Sequence, residues 1–542
     1  MVAASIPWTG GMVLAIAVSV LGVRLLAGSI VGPTLRRRFV LGVPWGTVVV
    51  VGLVLSVYLF VQGGINDLRR PARFPFSAWS YFYPLGMVAS SFSHASLGHL
   101  TNNMIGTLVL APLAEYVYGH YPRDRGSSSF GSLRANPYVR AFVIFPGAVV
   151  VIGLLTSIAS WGPVIGFSGV VFAFAGFALV RYPLLTVVAL TARGVVRTIY
   201  EALMNPTVTQ GVSESISTPS WAGISVQGHA LGLFIGVILG ALLCWRRSDR
   251  PDPRRLWAGT VLAGFTLSLW AVWWFADASS YTLFRALGVM LVFLLALLIA
   301  AGVSASDRDL FDRGPLSGYS RRQIGLALLT VPVLVMFGVA LVTNLAVVDG
   351  TGLPDDTEAV TVEDYVVTYA EDVDNRMLFV AEDLLGAEAG NTTASGVIVV
   401  SEKRHIWMQH TSADELALRG QDTVVVGGVG WQERVHIHRE GWRPVGDDTA
   451  YRVVLGTDRD DMQTAHVSDP QTADLRVENH TVTVIPERDG FSLAVDRHNE
   501  SATVPLPNEN ETVRALDLDL TRDDDRIIAE TNGTEVTVAE RE

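Results

Sequence analysis

The sequence predicts an all-α polytopic membrane bundle followed by a C-terminal β-rich soluble domain. Three observations carry this. Half of the 542 residues are hydrophobic, and they gather in stretches close to the ~20 apolar residues that a bilayer crossing needs. The charges divide into unlike halves. Residues 1–349 hold 24 Arg and 12 Asp+Glu, a net of +12, while residues 350–542 hold 16 Lys+Arg and 40 Asp+Glu, a net of −24, which together give the formal −12. Past residue 395 the apolar pattern changes from continuous runs to alternation with a period of two, the strand signature.

Ten apolar stretches are candidate spans: 11–32, 40–62, 97–118, 139–160, 166–181, 184–204, 223–245, 256–276, 281–303 and 324–347. The first has no basic leader and runs on into multispanning sequence, so no cleavable signal peptide is expected. Arginines set the orientation. Arg36-Arg37-Arg38, Arg123 to Arg140, Arg181, Arg246 to Arg255 and Arg308 to Arg322 all fall on one side if there are ten crossings. That side is the cytoplasm, which puts the amino terminus and the acidic tail outside. Arg69, Arg70 and Arg73 go against the rule. The stretch 184–204 is the least regular span because it contains Arg193 and Arg197, which must snorkel or mark a short, tilted helix.

The single cysteine, Cys244, lies in an apolar run, so no internal disulfide and no cysteine-based metal site can form. The only lysine is Lys403. An arginine-rich, acidic surface suits a high-salt setting, in which self-repulsion is screened, or follows from genomic base bias.

Three short pieces carry chemistry. Gly166-Phe167-Ser168-Gly169 opens one span, with Gly169, Ala173 and Gly176 along it as a small face. Glycines around a serine permit a tight turn, and a helix start offers free N–H groups and a positive dipole end, both suited to an oxyanion. By itself the string also reads as an N-cap serine. Gly228-His229-Ala230-Leu231-Gly232 lies in another span, where His229, Gly232, Gly236 and Gly240 share one stripe at helical spacing. This is a histidine facing a neighbouring helix, or a close-packed seam that happens to hold one. In His94-Ala95-Ser96-Leu97-Gly98-His99-Leu100-Thr101-Asn102-Asn103, His99 and Asn103 stand one turn apart on a shared face. They are a candidate donor pair, or an interfacial polar patch. Glu115, further down the same helix, reads as structural. The predicted topology puts all three pieces at a similar shallow depth. Serine with histidine is the smallest set that yields an activated hydroxyl and its base, with no well-placed aspartate to make a triad, since Asp67, Glu214 and Asp277 lie in loops.

At these residues the chain resembles the rhomboid intramembrane serine proteases. The resemblance rests on His94, His99 and Asn103 at spacings of five and four, on Gly166-Phe167-Ser168-Gly169, and on Gly228-His229-Ala230-Leu231-Gly232 continuing to Gly236. It covers about 40–245 and implies a six-helix core. It implies Ser168 as nucleophile and His229 as general base, and an oxyanion hole from His99, Asn103 and the Ser168 backbone N–H. Gly166 would keep the turn open and His94 would shape the site from the loop side. Two positions depart from the family pattern. Pro84-Leu85-Gly86 stands where a Trp-Arg pair is common, and Phe172 where many members carry tyrosine. The domains expected are an extra N-terminal helix and basic loop (1–38), the rhomboid-like core (39–250), three further transmembrane helices (251–348) and an acidic extracellular domain (349–542).

In the tail, Val397-Ile398-Val399-Val400, Thr423-Val424-Val425-Val426, Arg434-Val435-His436-Ile437-His438 and Thr481-Val482-Thr483-Val484-Ile485 read as strands of a β-rich domain such as a sandwich. His436 and His438 share a strand face, which reads as solvated. Five Asn-x-Ser/Thr triplets, at Asn391, Asn479, Asn499, Asn510 and Asn532, have the form of glycosylation acceptors. No cofactor or metal and no nucleic-acid partner is expected. The expected partners are membrane-protein substrates and the lipid bilayer, with the tail binding a partner of unknown identity. The leading function is an intramembrane serine endopeptidase in a cell membrane with its site toward the outside. The alternatives are a non-catalytic binding or quality-control protein on the same scaffold, and a transporter, which would want charged residues deep in several spans or Gly/Pro-broken helix pairs, whereas most internal charges here sit near span ends.

Overall fold

The computed structural model describes residues 6–27, 31–122, 130–206, 225–275, 281–306, 308, 319–345, 347–354, 357–376, 393–498 and 500–542. Glu214, Asp277, Asn391 and Asn499 lie outside the described residues. The chain divides into two compact units that meet in sequence between Leu345 and Ala346.

The first unit is helical: α1 (Ile6–Ala27), α2 (Val31–Arg38), α3 (Trp45–Ser56), α4 (Pro84–Ala89), α5 (Leu97–Tyr118), α6 (Pro137–Val139), α7 (Phe145–Ile158), α8 (Ser168–Arg181), α9 (Pro183–Met204), α10 (Val226–Arg246), α11 (Pro253–Thr266), α12 (Arg285–Ser304) and α13 (Arg321–Thr343). Among the described residues, five helices are long and apolar enough to cross a membrane: Pro137–Ile158, which joins α6 to α7 through a π-helical stretch, then α9, α10, α12 and α13. The protein is therefore a multi-pass membrane protein. The segment 184–204, which the sequence marks as the least regular span, lies in one continuous helix of 22 residues, Pro183–Met204. α8 has 14 residues, about 21 Å at 1.5 Å per residue, which is short of a ~30 Å hydrocarbon core.

The stretch 256–276 does not form the span the sequence predicts. α11 ends at Thr266 after 14 residues. Ser268 takes a positive φ of 57°, and the aromatic run beyond it forms a short hairpin, β1 (Trp273–Phe275) with β2 (Tyr281–Leu283). Tryptophan and phenylalanine favour extended backbone. A second cause is tertiary: the Trp270 carbonyl lies 1.8 Å from where a Cβ on Gly288 of α12 would stand, so the chain folds back onto α12.

The predicted basic loops collect at one end of the helical unit. The Arg247 guanidinium donates to the carbonyls of Val117 (2.8 Å) and Tyr118 (2.6 Å), and Arg140 donates to Tyr118 and Gly119. Together they cap the C-terminus of α5, where the helix dipole is negative. Arg181 pairs with Asp249 at 2.6 Å, and Arg322 lies over Trp245. Glu115 is structural. Fully buried, it accepts the Gly46 and Thr47 amides at the start of α3 (2.7 and 2.8 Å) and meets His120 Nε2 at 2.5 Å. His120 Nδ1 accepts the Val40 amide, which leaves the Nε2 proton for the carboxylate.

The opposite end of α13 closes on the serine side of the bundle. Asn344 Nδ2 donates to Ser160 O at 2.7 Å, Tyr81 N donates to Asn344 O at 2.9 Å, and Trp161 Nε1 donates to Met336 O at 2.9 Å. The chain thus leaves the helical unit at the end where α8 begins.

The second unit is β-rich, with three antiparallel sheets and the short helix α14 (Ala413–Arg419). One sheet has the order β3 (Ala359–Val362), β4 (Tyr365–Asp374), β5 (Thr393–Ser401), β6 (Ile406–Ser412). The largest comprises β7 (Gln421–Gly428), β8 (Trp431–Pro444), β9 (Ala450–Asp458), β10 (Asp461–Val467) and β15 (Thr512–Ala515) to β18 (Thr534–Arg541). The third is β11 (Gln471–Thr472), β12 (His480–Glu487), β13 (Gly490–Arg497), β14 (Glu500–Pro505). All four predicted strand segments are strands. Trp442, Leu520, Ile527 and Val538 of the large sheet pack with Val482, Val484, Leu493 and Val495 in one apolar core. Strands also form where the sequence reading had none, at Ala359–Asp374 and Thr512–Arg541. The aspartates of Leu518-Asp519-Leu520-Thr521-Arg522-Asp523 argue against a strand by composition. They are accommodated because Leu518 and Leu520 take every buried position. Asn479, Asn510 and Asn532 are exposed turn residues with positive φ, a conformation asparagine tolerates, so hairpin geometry explains an asparagine at each.

Candidate active site

Ser168 is the first residue of α8, and Phe167 in the cap position offers no side-chain bond. The N-cap reading of Ser168 is thus set aside: its hydroxyl points across the bundle, 2.7 Å from His229 Nε2. For the serine to donate, Nε2 must be the unprotonated ring nitrogen. Phe172, one turn after Ser168, stacks on the His229 ring with centroids 4.4 Å apart and planes inclined by 11°. The stacking face holds the imidazole plane without needing a hydroxyl.

The contact exists because α8 and α10 approach at backbone distance. A Cβ on Gly232 would lie 1.9 Å from Gly169 O, one on Gly236 2.1 Å from Ala173 O, and one on Gly176 2.3 Å from Leu233 O. The two small faces read from the sequence therefore meet each other. The start of α10 is tied to the loop before α8: Ser225 Oγ accepts the Gly228 amide, and Gln227 Nε2 donates to Ala159 O at 2.7 Å.

His99 and Asn103 come to the same place from α5. Gly166 has φ +126°, and a Cβ there would lie 2.5 Å from His99 Cε1, 2.7 Å from His99 Nε2 and 3.5 Å from Asn103 Nδ2. Only glycine allows that backbone conformation and that approach together. Asn103 is buried, and its Nδ2 has no acceptor among the described residues. A buried donor left open costs ~1–3 kcal/mol, which a fold tolerates where the donor serves a ligand. At the start of α8, Val170 and Val171 both donate to Phe167 O, leaving the Ser168 amide without a helical acceptor. The five groups thus form one layer: hydroxyl, imidazole, two side-chain donors and an amide.

His94 sits behind this layer rather than in it. It is fully buried in the loop before α5, with its ring edge-on to His99 at 5.2 Å. Burial, and then His99 beside it, push the His94 imidazole down to about 3, so it is neutral. Its backbone is held by Gln62, which accepts the His94 amide at 2.7 Å and donates to its carbonyl at 2.9 Å. Gln62 escaped the sequence reading. The available signal was an amide ending an apolar run. The loop lacking Trp-Arg is anchored by other means: Phe74, Pro75 and Phe76 are buried, and Trp79 Nε1 donates to Phe74 O at 3.0 Å.

The sequence reading also passed over Arg193 as a snorkelling residue. It is half-buried, and its Nε lies 3.6 Å from the Cβ position of Gly106 on α5. A charge at a span centre costs ~2.5–3.5 kcal/mol on insertion scales, which is the signal that could have marked it. Among the described residues no three His, Cys, Asp or Glu side chains are grouped to hold a metal ion.

Fold and site together define a helical membrane protein with a serine–histidine pair inside its bundle. Residues 82–246 match the family model described as Rhomboid domain. That segment, from α4 to α10, carries the rhomboid domain. The match does not include α3. Comparison with curated proteins and with solved structures gave no match.

Proposed function

We propose that this protein is an intramembrane serine endopeptidase that cuts other membrane proteins within or near their spanning segments. The observation that carries the reading is the 2.7 Å contact between Ser168 Oγ and His229 Nε2 on the matched segment. In this reading α3 joins α5, α6–α7, α8, α9 and α10 as a six-helix core. Ser168 Oγ attacks the scissile carbonyl while His229 takes its proton. The oxyanion is received by His99, Asn103 Nδ2 and the Ser168 amide. His229 returns the proton to the leaving amine, and water releases the acyl group by the same route in reverse. A substrate helix must unwind locally, because its carbonyls are otherwise engaged in the helix. The arginine bias supports a reading in which the serine end of the bundle, with the start of the tail, faces outside.

Ser168→Ala, in the full chain reconstituted in lipid with a single-span model substrate, is expected to lower cleavage by more than about 10³-fold, the scale of losing a nucleophile. Helical content should not change, and a fluorophosphonate probe should label the wild type only. Cleavage retained by Ser168→Ala ends the proposal that Ser168 is the nucleophile, and a wild type that neither cuts nor labels returns the protein to the non-catalytic binding class.

A further inference from the structure

We infer that Arg193 is a specificity residue of this site, receiving a substrate carboxylate, from Asp or Glu, within three residues of the scissile bond. The inference rests on the protease reading above and deepens it.

Arg193 is the eleventh of the 22 residues of α9. It stands next to Gly106 and Val171: a Cβ on Gly106 would be 2.9 Å from Val171 Cγ1 and 3.6 Å from Arg193 Nε. Gly106 is three residues after Asn103 on α5, and Val171 three residues after Ser168 on α8. The guanidinium therefore lies one helical turn along from the candidate catalytic layer, between α5 and α8. The absence of a side chain at Gly106 is what leaves it room.

Among the described residues no carboxylate or carbonyl pairs with it. Arg197, one turn away, is already engaged with Glu201 at 2.7 Å. Glu115 is taken up by His120 and the start of α3. A guanidinium retains its charge in apolar surroundings and offers a planar fork that fits a carboxylate through two parallel bonds. Lipid phosphates lie at the interface, whereas Arg193 is at the middle of its helix. A peptide stretched across Ser168 brings side chains within one turn of it.

The test uses full-length protein in proteoliposomes with single-span substrates carrying Asp or Asn at each position within three residues of the cut. Wild type is expected to cleave the Asp substrate at least about tenfold faster in kcat/KM at one position. Arg193→Gln should bring that ratio to about one, and Arg193→Lys should keep part of it. Arg193→Glu should prefer Lys over Asp at the same position, a reversal that misfolding cannot produce. A wild-type ratio near one at every position overturns the proposal, as does a ratio that Arg193→Gln leaves unchanged. If Arg193→Gln instead removes a difference between phosphatidylglycerol and phosphatidylcholine vesicles, the occupant is lipid phosphate and the proposal falls. Fluorophosphonate labelling of wild-type Ser168 separates the two levels: labelling with a flat Asp/Asn ratio removes only the role of Arg193, and no labelling removes the protease reading.

Discussion

The helical and β-rich units handle polar groups in opposite ways. In the helical unit the ionisable and amide side chains turned inward gather in definite places: fully buried Glu115 with His120 at one end, and buried Asn103 with half-buried Ser168, His229 and His99 at the other. The β unit spreads its charges over the surface in pairs such as Arg488–Glu358 and Arg497–Asp517, both largely exposed. Among the described residues its most enclosed arginine–carboxylate pair is Arg404–Asp364, a bidentate contact at 2.6 and 2.8 Å that also takes in Ser401. The difference teaches that water supplies the missing partners in one unit and cannot in the other. A polar group in the lipid-facing unit therefore marks a purpose more reliably than one in the β unit.

Substitutions can break or sharpen this contrast. After Ser168→Ala, the largest effect is expected from Gly166→Ala. The added methyl collides with His99 at a φ that alanine avoids, and activity should fall by about 100-fold, the scale of one lost oxyanion donor. An unchanged rate would show that His99 is not needed where it stands. Next is Gly236→Val, whose Cβ meets Ala173 O at 2.1 Å. Overpacking costs ~1–3 kcal/mol or more, so thermal unfolding in detergent should shift down and Ser168 labelling should weaken with it.

The β unit should respond less. Arg404→Ala removes the partner of a partly enclosed carboxylate, at a cost of ~1–2 kcal/mol once solvent screening is allowed for. Burial pushes the Asp364 carboxyl up, but its bonds to Arg404 and Ser401 outweigh that and hold it below its ordinary range. A depressed carboxyl stabilises the fold above its unfolded value and loses that contribution as pH falls through the folded value. The β signal of the full chain should therefore weaken on acidification below the ordinary carboxylate range. Arg404→Ala should flatten that dependence. Smallest of all is Arg497→Ala, expected within ~0.5 kcal/mol of wild type because its pair with Asp517 is exposed. If Arg497→Ala destabilised as much as Gly236→Val, the contrast between the units would fail.

How far the molecule was legible from its sequence follows the same physics. Ser168, His229, His99 and Asn103 stood out because polar side chains are conspicuous in apolar helices, and helical periodicity alone aligned Gly232 and Gly236 with the histidine. The alternating strands of the tail were visible wherever both faces obeyed the pattern, and were missed at Thr512–Arg541, where aspartates crowd the exposed positions. The break after Thr266 was hidden because hydropathy ranks an aromatic run as span whether it is helical or extended. Gln62 and the anchoring of Tyr81 and Ser160 by Asn344 connect residues far apart in the chain, which no local pattern records.

By itself, the sequence determined the class of protein, the division into an arginine-bearing helical part and an acidic β part, and the residue types available for chemistry. These depend on composition and on periods of two and 3.6, which are local. Only the tertiary structure decided which of those residues meet. The Ser168 hydroxyl reaches the His229 ring because glycines let α8 and α10 close to backbone contact, His94 is set behind His99 by Gln62, and Arg193 turns toward Gly106 because a missing side chain leaves it space. Such distances come from packing between distant segments, and that is a property of the whole fold.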